Sequence, residues 1–424
     1  MDSRTFPSHR RLTVFLFLLA YISSFFDRQI VAVVGPQIRE TFALGNLQIG
    51  LLYGTAFSVV YALAGIPAGW LADRADRRML IVGGAAVWSA MTVLSGWAGS
   101  FGFLIACRMI LGMSQALLSP AVYSWLGDAF PSSRRAEIYS TYASAIFIGV
   151  GLSFLVGGSI AAGGDWRSAL FWAGAPGLAL AGIMALVIPE PGRMAGSRSG
   201  AAAVGGREAA ADGARAQSVD GSPESMAAAL RAILASPAVR LHLAGFSLLG
   251  CTGYTVLAFL SAFFSDVHGR PDLIPHVGWF FFGVAGMVVL SGRLADRLAR
   301  TDPMRRHWMG IASACALPLY LLAFRASDAV AAFGLMGAAL LIGSSYNGVA
   351  VATLHQHVVP ERRALATGLY LFVVSVAGFG AGPPLAGWLM DGPLAGPDAV
   401  PRALGWGVTA GNLGAAGCFG RLMR

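Results

Sequence analysis

Long apolar runs alternate with short charged segments from one end of this chain to the other. A helix needs about 20 mostly apolar residues to cross the hydrocarbon of a bilayer. Twelve runs approach that length: 12–35, 48–72, 79–98, 101–126, 136–162, 168–188, 239–264, 274–299, 307–325, 329–357, 364–390 and 402–420. The pattern predicts an all-α integral membrane fold of 12 transmembrane helices. Connections as short as Gly99-Ser100 leave no room for domains between spans. The one long interruption, 190–237, is rich in Ala, Gly, Ser and Arg and reads as a flexible tether. Within it Ser222-Pro223-Glu224 has the form of a helix start, so that 227–234 is expected to lie on the membrane surface as a short helix. The chain then divides into a six-helix half at 1–189, a linker at 190–237 and a second six-helix half at 238–424.

The charged segments show that the halves are copies. Gly69-Trp70-Leu71-Ala72-Asp73-Arg74, followed by Arg77 and Arg78, returns 223 residues later as Gly292-Arg293-Leu294-Ala295-Asp296-Arg297. Pro131-Ser132-Ser133-Arg134-Arg135-Ala136 returns as Pro360-Glu361-Arg362-Arg363-Ala364 at a similar offset. Two echoes in the same order mean a duplicated half, repeated in parallel.

Composition sets the solvent. Hydrophobic residues make up 56% of the chain and charged residues 12%, about half the charge of an ordinary soluble domain. Too little polar surface remains to cover a water-solvated core, so lipid must be the solvent. All 30 basic residues are arginine. The net charge of +9 does not indicate nucleic acid, because the arginines cluster between apolar runs without an aromatic-interleaved stripe. With the N-terminus inside, inner segments hold 23 arginines and outer loops 5. Anionic lipid retains arginine on the inner face, so both termini are expected in the cytoplasm, most simply of a bacterial inner (plasma) membrane. Arg4 to Arg11 before an apolar stretch has the charge order of a signal peptide. Asp27-Arg28 interrupts that stretch, and the segment reads as a retained first span. Cys107, Cys251, Cys315 and Cys418 lie in apolar runs without metal-ligand or redox spacing.

Three charges fall where lipid should be. Asp27, Arg28 and Arg108 lie at membrane depth, where each costs at least about 2.5–3.5 kcal/mol unless it faces a partner or a wet cavity. Counting 1.5 Å per residue from the expected outer ends of spans 1 and 4 places Asp27 and Arg108 at one level, roughly 10–12 Å deep. They are expected to pair, either as a fixed ion pair pinning two helices or as a group that titrates and contacts substrate. Gln115 lies two turns from Arg108 on the same face, with Gly112 between them. Tyr53, Tyr61, Tyr123, Tyr254, Asn347 and Asn412 are candidate cavity residues, although a helix-to-helix hydrogen bond is the better account of each. His355 and His357, and His268 and His276, lack metal-ligand context and read as interfacial packing. Gly69, Asp73, Arg74, Arg77, Arg78, Asp296 and Arg297 are candidate gating parts. Asp73 is expected to cap a helix end, with the arginines beside it free to meet phosphates or helix C-terminal carbonyls.

Gly69 to Arg78 resembles the loop signature between helices 2 and 3 of the major facilitator superfamily, and its echo resembles the loop between helices 8 and 9. That resemblance covers essentially the whole chain. It implies an inner gate locked in part by Asp73 against the start of helix 11. A narrower resemblance is to the Spinster-like branch, whose members include lysolipid and sphingosine-phosphate transporters. It rests on Phe26-Asp27-Arg28, Gly50-Leu51-Leu52-x-Gly54-x-Ala56-Phe57, Tyr61, Gly65-Ile66-Pro67-x-Gly69, Arg108-x-x-x-Gly112, Ala116, Pro120 and Phe130-Pro131. In the second half it thins to Gly253-Tyr254 and His268-Gly269. One departure stands out. The branch reads Gly-x-Gly-Glu-Ala in helix 4, whereas this chain has Gly112-Met113-Ser114-Gln115-Ala116. The glutamate that the resemblance implicates in proton coupling is replaced by an amide, leaving Asp27 as the acid in the cavity.

These readings converge on a proton-coupled secondary transporter of the alternating-access type, acting as a monomer. The resemblance implies an amphipathic, lipid-like substrate with its polar head near Arg28, Arg108 and Gln115. A small organic anion such as a sugar acid, or a drug, is the alternative. No Walker loop, His-Glu-x-x-His or paired-carboxylate constellation is present, so neither ATP, a metal nor another cofactor is expected, and an enzyme or sensor is disfavoured.

Overall fold

The computed structural model describes residues 8–72, 75–130, 132–163, 165–188, 226–347, 349–359 and 362–423. Among these, twelve long helices follow one another: α1 (Ser8–Val33), α2 (46–72), α3 (Arg77–Gly96), α4 (101–129), α5 (132–162), α6 (Trp166–Val187), α7 (Pro237–Val267), α8 (Val277–Ala299), α9 (308–325), α10 (329–354), α11 (363–391) and α12 (Ala399–Leu422). Ten are long and apolar enough to cross a membrane on length and composition alone. The other two depart for visible reasons. α12 is rich in Gly and Ala. α10, expected as one run over 329–357, is an apolar helix Ala329–Gly343 followed by a turn and the short helix Ala350–Leu354. The Asn347 side chain donates to Ser344 O in that turn, a local bond of the kind that competes with helix continuation.

Exposed apolar side chains cover the outside of the bundle, among them Leu186, Leu290, Leu322 and Leu413, with Trp97, Trp172, Trp279 and Trp406 also exposed. Such a surface is stable only in lipid. Most of the linker lies outside the described residues, the Ser222-Pro223-Glu224 helix start included. The helix expected over 227–234 is present as Met226–Ala235, packed on the beginnings of α7 and α11.

The end of the bundle away from the two termini, the far end, is closed by backbone-level contact between the halves. α2 packs along α11, where Gly50 faces the Pro383-Pro384 main chain and Gly54 faces Phe379 O. α5 packs along α8, where Gly151 meets Gly278, and Gly158 meets Pro275. Polar latches finish the seal. Asp391 accepts from the Asn46 and Leu47 main-chain N–H groups at 2.9 and 2.8 Å and from Asn46 Nδ2 at 2.8 Å, capping the start of α2 from the other half. Arg39 bridges Asn46 Oδ1 and the Asp266 carboxylate.

Candidate functional site

Below the α2–α11 seam, α1, α2 and α4 bring the membrane-depth charges to one level. α2 supplies its backbone through a π turn, Leu51–Thr55, in which the Ala56 N–H reaches back to Leu51 O. Such turns interrupt the regular ladder and recur at functional sites. Arg108 on α4 is 2% exposed and donates to four main-chain carbonyls: Leu52 (3.4 Å) and Tyr53 (3.4 Å) on α2, and Asp27 (3.3 Å) and Arg28 (3.1 Å) on α1.

The expected pairing of the Asp27 carboxylate with Arg108 is therefore not what the structure forms. Equal depth holds, but Arg108 binds the Asp27 carbonyl oxygen. The Asp27 carboxyl group is buried at 1% exposure, and neither oxygen has a hydrogen-bond partner. Depth along two helices follows from residue counting; the direction in which each side chain points around its helix does not.

Arg28 has a different set of partners. Its Nε and Nη2 donate to Gln115 Oε1 at 3.3 and 3.0 Å, and Gln115 Nε2 in turn donates to Ser24 O at 2.9 Å. Three rings surround the guanidinium: Phe25, Phe57 and Tyr61, with centroids 4.4, 4.3 and 5.0 Å away. A cation against aromatic faces with one neutral hydrogen-bond partner keeps most of its attraction for an arriving anion.

Sequence reasoning missed Phe379. This α11 residue closes the chamber from the other half, 4.9 Å from Tyr53, 5.6 Å from Phe57 and stacked 4.5 Å from Tyr254 on α7. It sits in a second π turn, Val374–Gly380, whose Gly380 carbonyl accepts from Thr55 Oγ1 at 2.6 Å. Gln29, also missed, accepts the Tyr53 hydroxyl at 2.9 Å. Tyr123 joins an aromatic group with Tyr142 and Tyr21. Asn347 is exposed at the α10 break, away from this chamber, and Asn412 is buried on α12 with its Nδ2 unpartnered.

Of the candidate gating parts, Asp73 and Arg74 lie outside the described residues, and Gly69 falls in the last turns of α2. The carboxylate that caps α3 is Asp76, accepting from Met79 N. Arg77 is buried and donates to Ser124 Oγ on α4 at 3.1 Å; Arg78 reaches Ala185 O on α6. In the second copy Asp296 pairs with Arg306 at 3.0 Å, and Arg297 is exposed.

Two six-helix halves meeting over a buried charged cluster define a membrane transporter. The chain belongs to the Major Facilitator Superfamily, whose model matches residues 17–383. It is 28% identical to an MFS-type efflux pump of Mycolicibacterium smegmatis over 93% of this chain and 88% of that protein. It is 27% identical to protein spinster homolog 1 of Bos taurus over 90% of this chain and 73% of that protein. Among solved structures, a bacterial homolog of the human lysosomal transporter Spinster, in an inward-facing and occupied conformation, matches with a TM-score of 0.78 at 23% identity, covering 99% of this chain and 98% of that one. A D-xylose-proton symporter matches with a TM-score of 0.70 at 16% identity, covering 96% and 97%. These likenesses establish the fold and the class: a transporter, not an enzyme.

Proposed function

We propose that this protein is a proton-coupled secondary transporter for an amphipathic, lipid-like substrate such as a lysolipid, working as a monomer by alternating access. The observation that carries the reading is the pairing of unequal neighbours on α1. Arg28 is a cation ringed by Phe25, Phe57 and Tyr61; Asp27 is a buried carboxyl with no hydrogen bond inside 3.5 Å. An anionic head group competes with Gln115 for Arg28 while its apolar part lies along the rings. The resemblance to the Spinster-like branch, whose members include lysolipid transporters, supports this substrate class. The efflux-pump relative supports export as the direction of a second reading, in which the substrate is a small organic anion or a drug.

Reconstituted vesicles test the coupling. Asp27→Asn is expected to retain substrate binding and to lose accumulation driven by a pH gradient, at least tenfold below the wild type, because the amide neither takes nor releases a proton. Gln115→Glu, by supplying a second acid, is expected to alter the pH profile. Accumulation by Asp27→Asn with unchanged pH dependence would mean that Asp27 is structural only. Uptake assays with a lysolipid, a sugar acid and a cationic drug in parallel separate the substrate readings.

We further infer that both termini face the cytoplasm of a bacterial inner membrane, supported by the arginine asymmetry. A single cysteine at Ser199 is expected to react with an impermeant maleimide only in inverted vesicles; labelling in intact cells overturns the orientation. The gating reading is supported by the repeated loop. Asp296–Arg306 is an exposed pair, worth at most about 1 kcal/mol. Asp296→Asn is therefore expected to leave the thermal midpoint within a few degrees of the wild type while slowing transport severalfold. Unchanged transport removes Asp296 from the gate.

A further inference from the structure

Three histidines far apart in the chain meet at the terminal end of the C-terminal half, well away from the charged chamber. His242 is in the second turn of α7, His307 precedes α9, and His357 follows α10. Their ring centroids are 5.3 Å apart for His307–His357, 6.0 Å for His242–His307 and 6.3 Å for His242–His357. His242 and His307 are fully buried; His357 is partly exposed.

The hydrogen bonds fix the protons. His307 Nδ1 lies 3.1 Å from Met304 O, an acceptor only, so Nδ1 carries the hydrogen and Nε2 of the neutral ring is an acceptor. His357 Nε2, 3.4 Å away, therefore donates to it. Both nitrogens of His242 are buried with no hydrogen bond inside 3.5 Å, although the Ala350 backbone also acts on the ring. No described group of three His, Cys, Asp or Glu side chains converges as a metal ligand set.

We propose that His242, His307 and His357 form a second proton-binding site, filled from the side of the membrane that the termini face. A proton enters at the accessible Nδ1 of His357. That imidazolium passes its Nε2 proton to His307 Nε2, leaving His357 neutral with its hydrogen now on Nδ1. The charge then lies on His307, with both of its nitrogens protonated, beside the unprotonated nitrogen of His242. The groups around the site do not neutralise it. Tyr370 faces His242 at 6.0 Å, Tyr346 lies beyond Phe246, Phe419 flanks His307, Arg363 acts on His355, and Asp296 is committed to Arg306. Proton occupancy thus opposes the present packing of α7 on the two turns and favours a rearranged one, so the site reports the pH of the terminal side. For His357, burial alone holds the imidazole below its ordinary value. The stability it contributes is complete above the unfolded value of about 6.5 and is lost as pH falls through the lower folded value.

The full-length protein in lipid nanodiscs provides the test, by its thermal midpoint between pH 8 and pH 5. The wild type is expected to lose stability on acidification. His242→Gln, His307→Gln and His357→Gln are each expected to remove a measurable share of that loss, up to about a third, whereas His276→Gln, in a far-end loop, leaves it intact. Cluster variants that track the wild type at every pH overturn the site. Where a variant does not fold, spectra of the wild type labelled with carbon-13 histidine decide. His307 and His357 are expected to titrate in two coupled steps; independent single steps at the ordinary histidine value overturn the proposal. Stabilisation by added zinc that the three variants abolish also overturns it, in favour of a metal site.

Discussion

Gly50→Ala is expected to hold the far end of the transporter open. A Cβ at position 50 would stand 2.5 Å from Pro383 O, 2.6 Å from Pro383 C and 2.7 Å from Pro384 N. All three are main-chain atoms of α11, so no side chain can turn aside. Overpacking costs about 1–3 kcal/mol, and here it falls on one conformation only, moving the equilibrium by roughly 5- to 150-fold. Alanine also raises helix propensity in every conformation, so the thermal midpoint is not expected to fall in proportion. The reporter is Ala262→Cys in a background lacking the four native cysteines. Ala262 is buried between the halves beside Gly35, Pro36 and Arg39, and an impermeant maleimide reaches it only when the seam parts. Asp391→Ala, which removes the latch on α2, is expected to increase labelling less, by about 2- to 30-fold, the range of a lost helix cap. Labelling rates equal to those of the parent in both variants would dissociate the seam from gating.

Arg108→Lys is expected to be the most damaging conservative change in the chamber. Arg108 reaches carbonyls on two neighbouring helices at once. An ammonium is a single point and cannot span them. Losing two or more charge-assisted bonds in a buried site corresponds to about 3 kcal/mol or more, read as a lower thermal midpoint and at least tenfold less transport. Arg28→Lys gives the contrast. Its bonds end on the Gln115 side chain, which can follow a shorter partner. Transport is expected to fall while the midpoint changes little. Equal destabilisation by the two substitutions would show that Arg28 also is a structural fastener.

Much of this architecture is legible in the sequence because lipid imposes length and polarity rules that few other folds obey. The twelve spans, the parallel repeat, the common level of Asp27 and Arg108, and Gln115 two turns along the same face of α4 all follow from counting residues along helices. What counting does not provide is rotation. The π turn at Leu51–Thr55 holds two of the carbonyls that Arg108 binds, those of Leu52 and Tyr53, and residue counting along α2 does not reveal it. Phe379 was missed for a related reason: nothing local to α11 tells which of its faces meets α2. The α10 break had a signal in Ser344-Ser345-Tyr346-Asn347, a polar interruption passed over because the surrounding run is long. The three histidines gave none, since 242, 307 and 357 come together only through the packing of three separate helices.

The closed seam also shapes how the chamber experiences the membrane voltage. From Asn46 to Gly54 it is eight residues of helix deep, about 12 Å, less than half the hydrocarbon thickness of ~30 Å. Through the bonds of Arg108, Asp27 lies level with Tyr53, at the inner edge of this thin layer. An electric potential falls most steeply across the layer of lowest dielectric. Moving one elementary charge through the full field is worth about 2.3 kcal/mol per 100 mV. While the seam is closed Asp27 is reached from the terminal side only, and a proton there stands at the edge of the steep field; the rearrangement that opens the seam, rather than proton binding itself, would then carry the voltage dependence.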